Sequence, residues 1–486
     1  MSEPKRPNIL FICTDQQRFD TLGCYGNSHI QTPAVDALAR EGTLFEQCYV
    51  QSPVCAPSRA SLLTGRYPSM HGLWANGVAL PPHERLVSRA LADGGYDCML
   101  VGKWHLSACF RGRTEPRLDD GFRVFQWAHD PSHGSPENKY HRWLEQKYPE
   151  LFATASAKGL GRSGHEAGMF DTMPTEAHYT RWVAEEAINY LETERRPEQP
   201  FFMFVNFFDP HHPFVAPQEY LDRYNPADVP PPIGSADDLA DRPPILTDAS
   251  EKSYAGYARG FTSYTADEMQ QLRAAYYAMI TFIDDEVGRM LGALDALGLR
   301  DDTLVIFTSD HGEMLGDHGL LLKGPMLYEG AVRVPLIMRW PGHIPAGERR
   351  AELVQWLDLT PTFLDASGLP PQPTHQGMSL LPLARGDADA PTRDWALCQY
   401  RNSGHPYDPP VHATMLRRDQ YKLVVFHGPP ATDRPRTGEL YDLEADPDEL
   451  HNLWDHADYA QVRTRLQEFL LDALVAIEDR SQAREA

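Results

Sequence analysis

Along the chain, apolar residues gather in short unbroken runs, each closed by polar or turn-forming residues. Residues 8–13, 96–101, 201–208 and 303–308 have the near-continuous apolar composition of strands buried on both faces, as in a parallel sheet. Val332 to Met338 supplies one more strand. Between these runs the spacing changes to that of helices. Thr32 and Pro33 read as an N-cap and first helical position, with Gly42 closing the helix. A short apolar-periodic helix starts at Cys55, and another helix spans Tyr179 to Glu194. The longest runs from about Asp267 to Leu297, with Leu272, Tyr276, Met279, Ile280, Ile283, Val287, Met290, Leu291 and Leu294 on one buried stripe. Strands alternating with helices predict an α/β fold, a large and mostly parallel sheet flanked by helices.

The texture changes past residue 375. Trp395 to Tyr400 and Tyr421 to Phe426 read as antiparallel strands, Glu439 to Pro447 as a strand and turn, and Tyr459 to Glu478 as a closing helix. The expected division is therefore residues 1–375 and a smaller α+β domain, 376–486, carrying an antiparallel sheet. Residues 107–175 have weak periodicity and are expected to form loops and short helices around a site. Residues 226–248, rich in Pro and Asp, are expected to form a surface flap. Both segments are expected to shape what the site accepts. No internal repeat is evident.

Ligands of open α/β sheets gather beyond the carboxyl ends of the strands. Four strand ends here carry chemistry. Residues 8–13 lead into Asp15 and Gln16, and residues 303–308 into Asp310 and His311. Residues 96–101 lead into Lys103 and His105, which alternate and so share one side of an extended segment. Residues 201–208 lead into Asp209-Pro210-His211-His212-Pro213, where two prolines fix the backbone. Lys323 follows on a loop. Asn76 either donates to a bound oxyanion or simply makes an Asn-Gly turn with Gly77. Asp15, Gln16, Asp310 and His311 form a ligand set for one divalent metal ion, with a net charge near zero that still polarises an ester oxygen. Oxygen ligands favour Ca²⁺ or Mg²⁺, while an imidazole moves the preference towards Mn²⁺. Calcium and manganese both stay open.

The stretch from Cys55 to Arg66 organises the rest. A helix start offers unpaired N–H groups and the positive end of the dipole, which suit an anion. Arg59 lies one turn beyond Cys55, so both side chains can face one point. Most isolated cysteines are small buried apolar residues, but the whole string Cys55-Ala56-Pro57-Ser58-Arg59-Ala60-Ser61-Leu62-Leu63-Thr64-Gly65-Arg66 resembles the signature of the formylglycine-dependent sulfatases, in the alkaline phosphatase superfamily. Gly102-Lys103-Trp104-His105 resembles their second signature, with Cys98 where Ser or Thr is usual. The C-terminal segment resembles their small second domain.

This resemblance implies that a formylglycine-generating maturation enzyme oxidises Cys55 to an aldehyde, whose hydrate is the nucleophile. It implies catalytic roles for Cys55, Arg59, Lys103, His105, His211 and Lys323, and substrate contacts from Asn76, Lys103, His211 and Lys323. In that scheme Arg59 and the metal acidify the hydrate, the lysines take up oxyanion charge, and His211 or His105 protonates the leaving group. The function implied is hydrolysis of sulfate esters. Gln16 and His311 are more like the ligands of the phosphonate monoester hydrolases of the same superfamily, so phosphonate monoester or phosphodiester hydrolysis is the alternative.

Charge narrows the partners. The 486 residues carry 45 basic and 68 acidic side chains, a net charge of −23. That disfavours nucleic acid and anionic membranes, and requires a locally basic pocket for a small anionic ester. Seven scattered cysteines without a C-x-x-C pair fit reduced thiols. No apolar run reaches spanning length, and residues 9–13 are too short for a signal segment. A cytoplasmic protein is expected, and a homo-oligomer stays open.

Overall fold

The apolar runs lie side by side. The computed structural model describes residues 6–157, 173–428 and 437–478. Its first ten strands are β1 (Asn8–Thr14), β2 (Thr43–Tyr49), β3 (Asp97–Gly102), β4 (Val124–Trp127), β5 (Phe201–Asn206), the short pair β6 (Lys252–Ser253) and β7 (Ala258–Arg259), then β8 (Thr303–Ser309), β9 (Arg333–Arg339) and β10 (Glu348–Gln355). Eight of them form one sheet in the order β10-β2-β9-β8-β1-β5-β3-β4. Strand β1 is central and runs parallel to both neighbours, β5 and β8.

The two faces of the sheet follow the two-residue period of a strand. Ile9, Phe11 and Cys13 pack into a core with the helices Cys55–Thr64 and Leu359–Ala366. Leu10 and Ile12 pack into another with the helices Tyr179–Asn189 and Ala266–Ala296. Every residue of the expected stripe on the long helix is buried, and a Thr265/Glu268 capping box opens that helix.

Strand β9 runs antiparallel to both β8 and β2. It contains Pro335 inside the sheet, where a missing N–H should break a ladder. The register with β2 shifts between Phe45 and Cys48, opposite Pro335, so the proline occupies the bulge.

Several expectations are corrected by packing. Thr32 makes no side-chain cap; its Oγ1 accepts from the Gly23 N–H at 2.9 Å. The cap comes from the long helix, where Asp284 accepts from the Ala34 and Val35 N–H groups at 2.9 and 2.7 Å. Gly42 does not end that helix in a left-handed turn. It is small because a Cβ there would collide with the Met338 carbonyl. The Cys55–Thr64 helix has no exposed face at all, and it ends at Gly65, φ +65°.

Residues 226–248 are not a flap. They form the short turns Pro226–Asp228 and Ala236–Asp241 and enter the helix Pro244–Glu251, with Val229, Leu239 and Leu246 buried. From this segment the buried Arg242 donates to the Leu450 and Glu449 carbonyls at 2.8 and 3.2 Å, tying it to the second sheet.

That sheet has four antiparallel strands in chain order, β11 (Trp395–Arg401), β12 (His412–Arg418), β13 (Tyr421–His427) and β14 (Thr437–Asp442). Leu466, Leu470 and Ala473 of the Ala460–Ala476 helix cover one face. The other face, with Cys398, Met415 and Val424, joins the core around the Cys55 helix. Lys422 is fully buried there, 2.5 Å from Glu449 Oε1 and 3.2 Å from Glu329 Oε1. Among the described residues no helix is long and apolar enough to cross a membrane.

Replacing Asp284 by Ala leaves a buried and a half-buried N–H group, of Val35 and Ala34, without an acceptor. We expect this to lower unfolding stability by about 2 kcal/mol, read as a lower urea midpoint at unchanged slope, with kcat unaltered. An unchanged midpoint would contradict the capping role.

Candidate active site

Adjacent parallel strands bring distant residues together. Thr14 pairs with Ser309, so Asp15 and Asp310 emerge side by side, and the Asp310 N–H donates to the Thr14 carbonyl at 3.2 Å. The Cys55 helix starts against this point. Cys55 Sγ lies 3.6 Å from Asp15 Oδ1, 3.1 Å from His311 Nε2 and 3.1 Å from Lys323 Nζ. Asp15, Cys55, Asp310 and His311 each offer one ligand atom within 4.8 Å of the others, all buried.

This donor set fits a divalent cation. His311 Nδ1 is 2.9 Å from the Gly312 carbonyl. A proton donated there leaves the Nε2 lone pair facing the two carboxylates, the usual arrangement behind a metal-bound imidazole. Gln16 adjoins the set through its N–H, 3.1 Å from Asp310 Oδ1, but its Oε1 accepts from Lys323 Nζ at 2.6 Å. Its amide nitrogen contacts Glu313 and lies 3.3 Å from His212 Nδ1. Gln16 sits at φ +71°, a left-handed position uncommon for a long side chain, where Tyr276 donates to its carbonyl at 2.6 Å.

Arg59 is committed to the carboxylates rather than to Cys55. Its Nε is 2.8 Å from Asp310 Oδ2 and its Nη2 is 3.4 Å from Asp15 Oδ2. Its Nη1 donates to Asn206 Oδ1 at 2.9 Å and to the Lys103 carbonyl at 3.2 Å. Lys103 Nζ completes the pairing, 2.6 Å from Asp15 Oδ2. Burial alone would raise the Asp15 carboxyl, but Lys103, His211, Lys323 and Arg59 hold it well below the usual carboxylate range. Burial and Asp15 likewise push the Cys55 thiol up, and Lys103, Lys323 and His311 reverse this, leaving it below an ordinary thiol.

A cavity of 580 Å³ opens above Cys55, and Asn76, Lys103, His105, His211 and Lys323 all line it. Asn76 Oδ1 accepts from the Ala56 N–H at 3.1 Å, satisfying one open donor of the helix start. Its NH₂ group is then the part available to an oxyanion. Burial, Lys323 and His212 push His211 well below the ordinary histidine range; burial, His129 and Lys103 do the same to His105. Both are neutral near pH 7 before a ligand binds. His105 is not extended as its spacing with Lys103 suggested; φ is +65°. Cys109, Phe110, Gly112, His129, Asp130 and Ser132 to Gly134 contribute to the wall, as expected for the 107–175 segment; its residues 158–172 lie outside the described residues. Residues 226–248 contribute none of the described lining. Gly404, His405 and Pro406, from the C-terminal sheet, do.

Sequence reasoning missed Asn206, Ser58, Glu313 and the 404–406 loop. Asn206 had a signal, since it is the polar residue that closes the apolar run of β5. Ser58, inside the signature, donates to the Asp310 carbonyl at 2.5 Å. Glu313 lies two residues beyond His311, and its Oε1 accepts from the Leu315 N–H at 2.9 Å. The 404–406 loop carried no signal.

Comparison with known proteins agrees with this geometry. Residues 7–369 match the family model described as Sulfatase. The chain belongs to the sulfatase family. Residues 316–475 also match a model described as N-sulphoglucosamine sulphohydrolase, C-terminal. The chain is 30% identical over 492 residues to an arylsulfatase of Clostridium perfringens, covering 98% of this chain and 95% of that one. It is 32% identical over 490 residues to a protein of Escherichia coli called uncharacterized sulfatase YidJ, covering 98% and 88%. The crystal structure of phosphonate monoester hydrolase of Agrobacterium radiobacter superposes with a TM-score of 0.81 at 29% identity, covering 98% of this chain and 97% of that one. As a member of the sulfatase family the protein is a sulfuric ester hydrolase.

Arg59→Lys keeps the charge but loses the planar fork that joins both carboxylates. We expect divalent-cation affinity, measured by calorimetry, to fall by about 10- to 100-fold. Unchanged affinity would contradict the bridging role.

Proposed function

We propose that the enzyme hydrolyses small anionic sulfate esters, using a formylglycine made from Cys55 and one divalent cation. The observation that carries this reading is the position of Cys55 Sγ. It lies at the start of a buried helix, at the floor of the cavity, with Lys323, His311 and Asp15 within 3.1–3.6 Å. Asp15, Asp310 and His311, with Gln16 alongside, would hold the cation, and Ca²⁺ and Mn²⁺ both suit this set. When bound, the cation supplies Lewis-acid polarisation and lowers the pKa of an adjacent hydroxyl.

The chain's own groups perform the rest. One hydroxyl of the hydrated Cys55 aldehyde attacks sulfur in line. Lys103 and Lys323 face the charge that gathers on the equatorial oxygens, and both are already fixed, by Asp15 and Gln16. An anionic ester raises the pKa of the two neutral histidines beside it, so that one protonates the leaving oxygen. His211 Nδ1 is tied to the His212 carbonyl at 2.7 Å, which leaves Nε2 as its working nitrogen. The other histidine takes the proton from the second hydroxyl as sulfate is eliminated and the aldehyde returns. Arg59 acts by positioning the carboxylates. Because the Cys55–Thr64 helix is buried on every side, the maturation enzyme must meet this stretch before folding is complete.

Hydrolysis of phosphonate monoesters or phosphodiesters is a second reading. Gln16, His311 and the likeness to the Agrobacterium radiobacter enzyme favour it. Parallel kcat/KM values for an aryl sulfate, a phenylphosphonate monoester and a phosphodiester separate the two. We expect the sulfate to lead; a phosphonate or diester preference of several orders would replace the first reading.

Peptide mass spectrometry across Cys55 should give formylglycine, and an unmodified thiol in active enzyme would defeat the mechanism. Cys55→Ser should leave the fold intact and nearly abolish turnover, because a serine ester cannot expel its product by elimination. Robust multiple turnover would contradict the role of the hydrate.

A further inference from the structure

One wall of the cavity carries a second group of ligating side chains. Among the described residues, His105, Cys109 and His129 each offer one ligand atom within 4.8 Å of the others. Cys109 Sγ lies 3.2 Å from Nδ1 and 3.6 Å from Nε2 of His129. The imidazoles of His105 and His129 meet edge to face, centroids 4.6 Å apart. His105 is only 7% exposed, and its Nδ1 has no hydrogen-bond partner. A buried ring nitrogen without a partner is costly and asks for a ligand.

The surroundings hold these groups in place. Glu115 is buried and accepts from the His105 N–H at 2.9 Å, the Ser107 N–H at 3.0 Å and Trp127 Nε1 at 3.1 Å. Asp130 Oδ2 lies 4.0 Å from His129 Nε2, a nearby negative charge that favours a cation in this corner. The donor set differs in kind from the Cys55 centre, with two imidazoles and a thiol in place of paired carboxylates. Such donors suit zinc-type ions rather than calcium. Metal–sulfur and metal–nitrogen bonds of about 2.3 and 2.0–2.1 Å give tetrahedral S···N edges near ~3.5 Å, close to the spacing found.

We propose that His105, Cys109 and His129 form a second cation site, selective for thiophilic ions of the zinc type, whose occupation inhibits the enzyme. The fourth position opens into the cavity. As the metal–sulfur bond forms, the Cys109 S–H bond breaks and its proton passes to solvent, with no change of oxidation state. His105 is then withdrawn from the ester. The site itself goes beyond the sulfatase reading and does not depend on it, while its inhibitory role rests on the place that reading gives His105.

Cobalt titration tests it. In Cys55→Ser protein held in excess Ca²⁺, Cys109 is the only thiol left in either cluster. We expect Co²⁺ to give a thiolate charge-transfer band that saturates at one equivalent and is bleached by Zn²⁺. The band should vanish with Cys109→Ala added, and His129→Ala should weaken binding by about tenfold or more. Absence of the band, or its survival in the Cys109→Ala protein, would overturn the site. Should Cys109→Ala fold poorly, Cys109→Ser serves the same comparison. For the inhibitory role, the Zn²⁺ concentration that halves wild-type activity should rise at least tenfold in Cys109→Ala; equal sensitivity would refute it. The spectral arm requires no turnover, so failure of this site and failure of the sulfatase reading are told apart.

Discussion

Two carboxylates that leave adjacent strands of one sheet must be held close together without water. Asp15 and Asp310 are in that position, and each is fully buried. Mutual repulsion would protonate one of them unless fixed positive charge lay within reach. Arg59 bridges both and Lys103 pairs with Asp15. A buried ion pair that loses one partner is destabilised by about 3–5 kcal/mol, so these residues are bound to one another by stability as well as by chemistry. The sheet fixes the carboxylates, the Cys55 helix fixes Arg59, and Cys55 comes to the same point because it starts that helix.

The cavity above is assembled from separate parts of the chain. Strand ends supply Lys103 and His211, the loops after β3 and β4 supply one wall, and the second sheet supplies residues 404–406. The acidic exterior implied by the net charge of −23 therefore encloses a pocket whose cationic side chains come from several elements. The two sheets share a continuous core, and the contacts of Arg242 with Leu450 and of Lys422 with Glu329 tie them. The 404–406 loop is held at the cavity by the Asn76 N–H, which donates to the Ser403 carbonyl at 2.8 Å, and by His405, whose ring stacks on Tyr257.

Much of this was legible beforehand, for a physical reason. Strands buried on both faces are nearly pure apolar runs, and a polar residue directly after one is exposed to whatever occupies the sheet edge. Asp15, Asp310, Lys103 and His211 were readable in this way. Strands β2, β4, β10 and β12 were not, since β10 lies on an edge with polar residues such as Glu348, Arg349 and Arg350, and β2 carries Glu46 and Gln47. The cap that Asp284 gives to a helix some 250 residues away and the tie between Arg242 and Leu450 are tertiary contacts that no local pattern announces. The Cys109 and His129 pair lay in a stretch of weak periodicity, where only folding shows that they meet.

The proposed chemistry requires one cation between Asp15, Asp310 and His311, against an oxidised Cys55. Anomalous diffraction from crystals of the mature enzyme loaded with Mn²⁺ tests it most directly. A strong peak bounded by those three side chains is expected, with an oxygen of the hydrated residue 55 beside it. A peak elsewhere, with residue 55 still a thiol in active crystals, would contradict it.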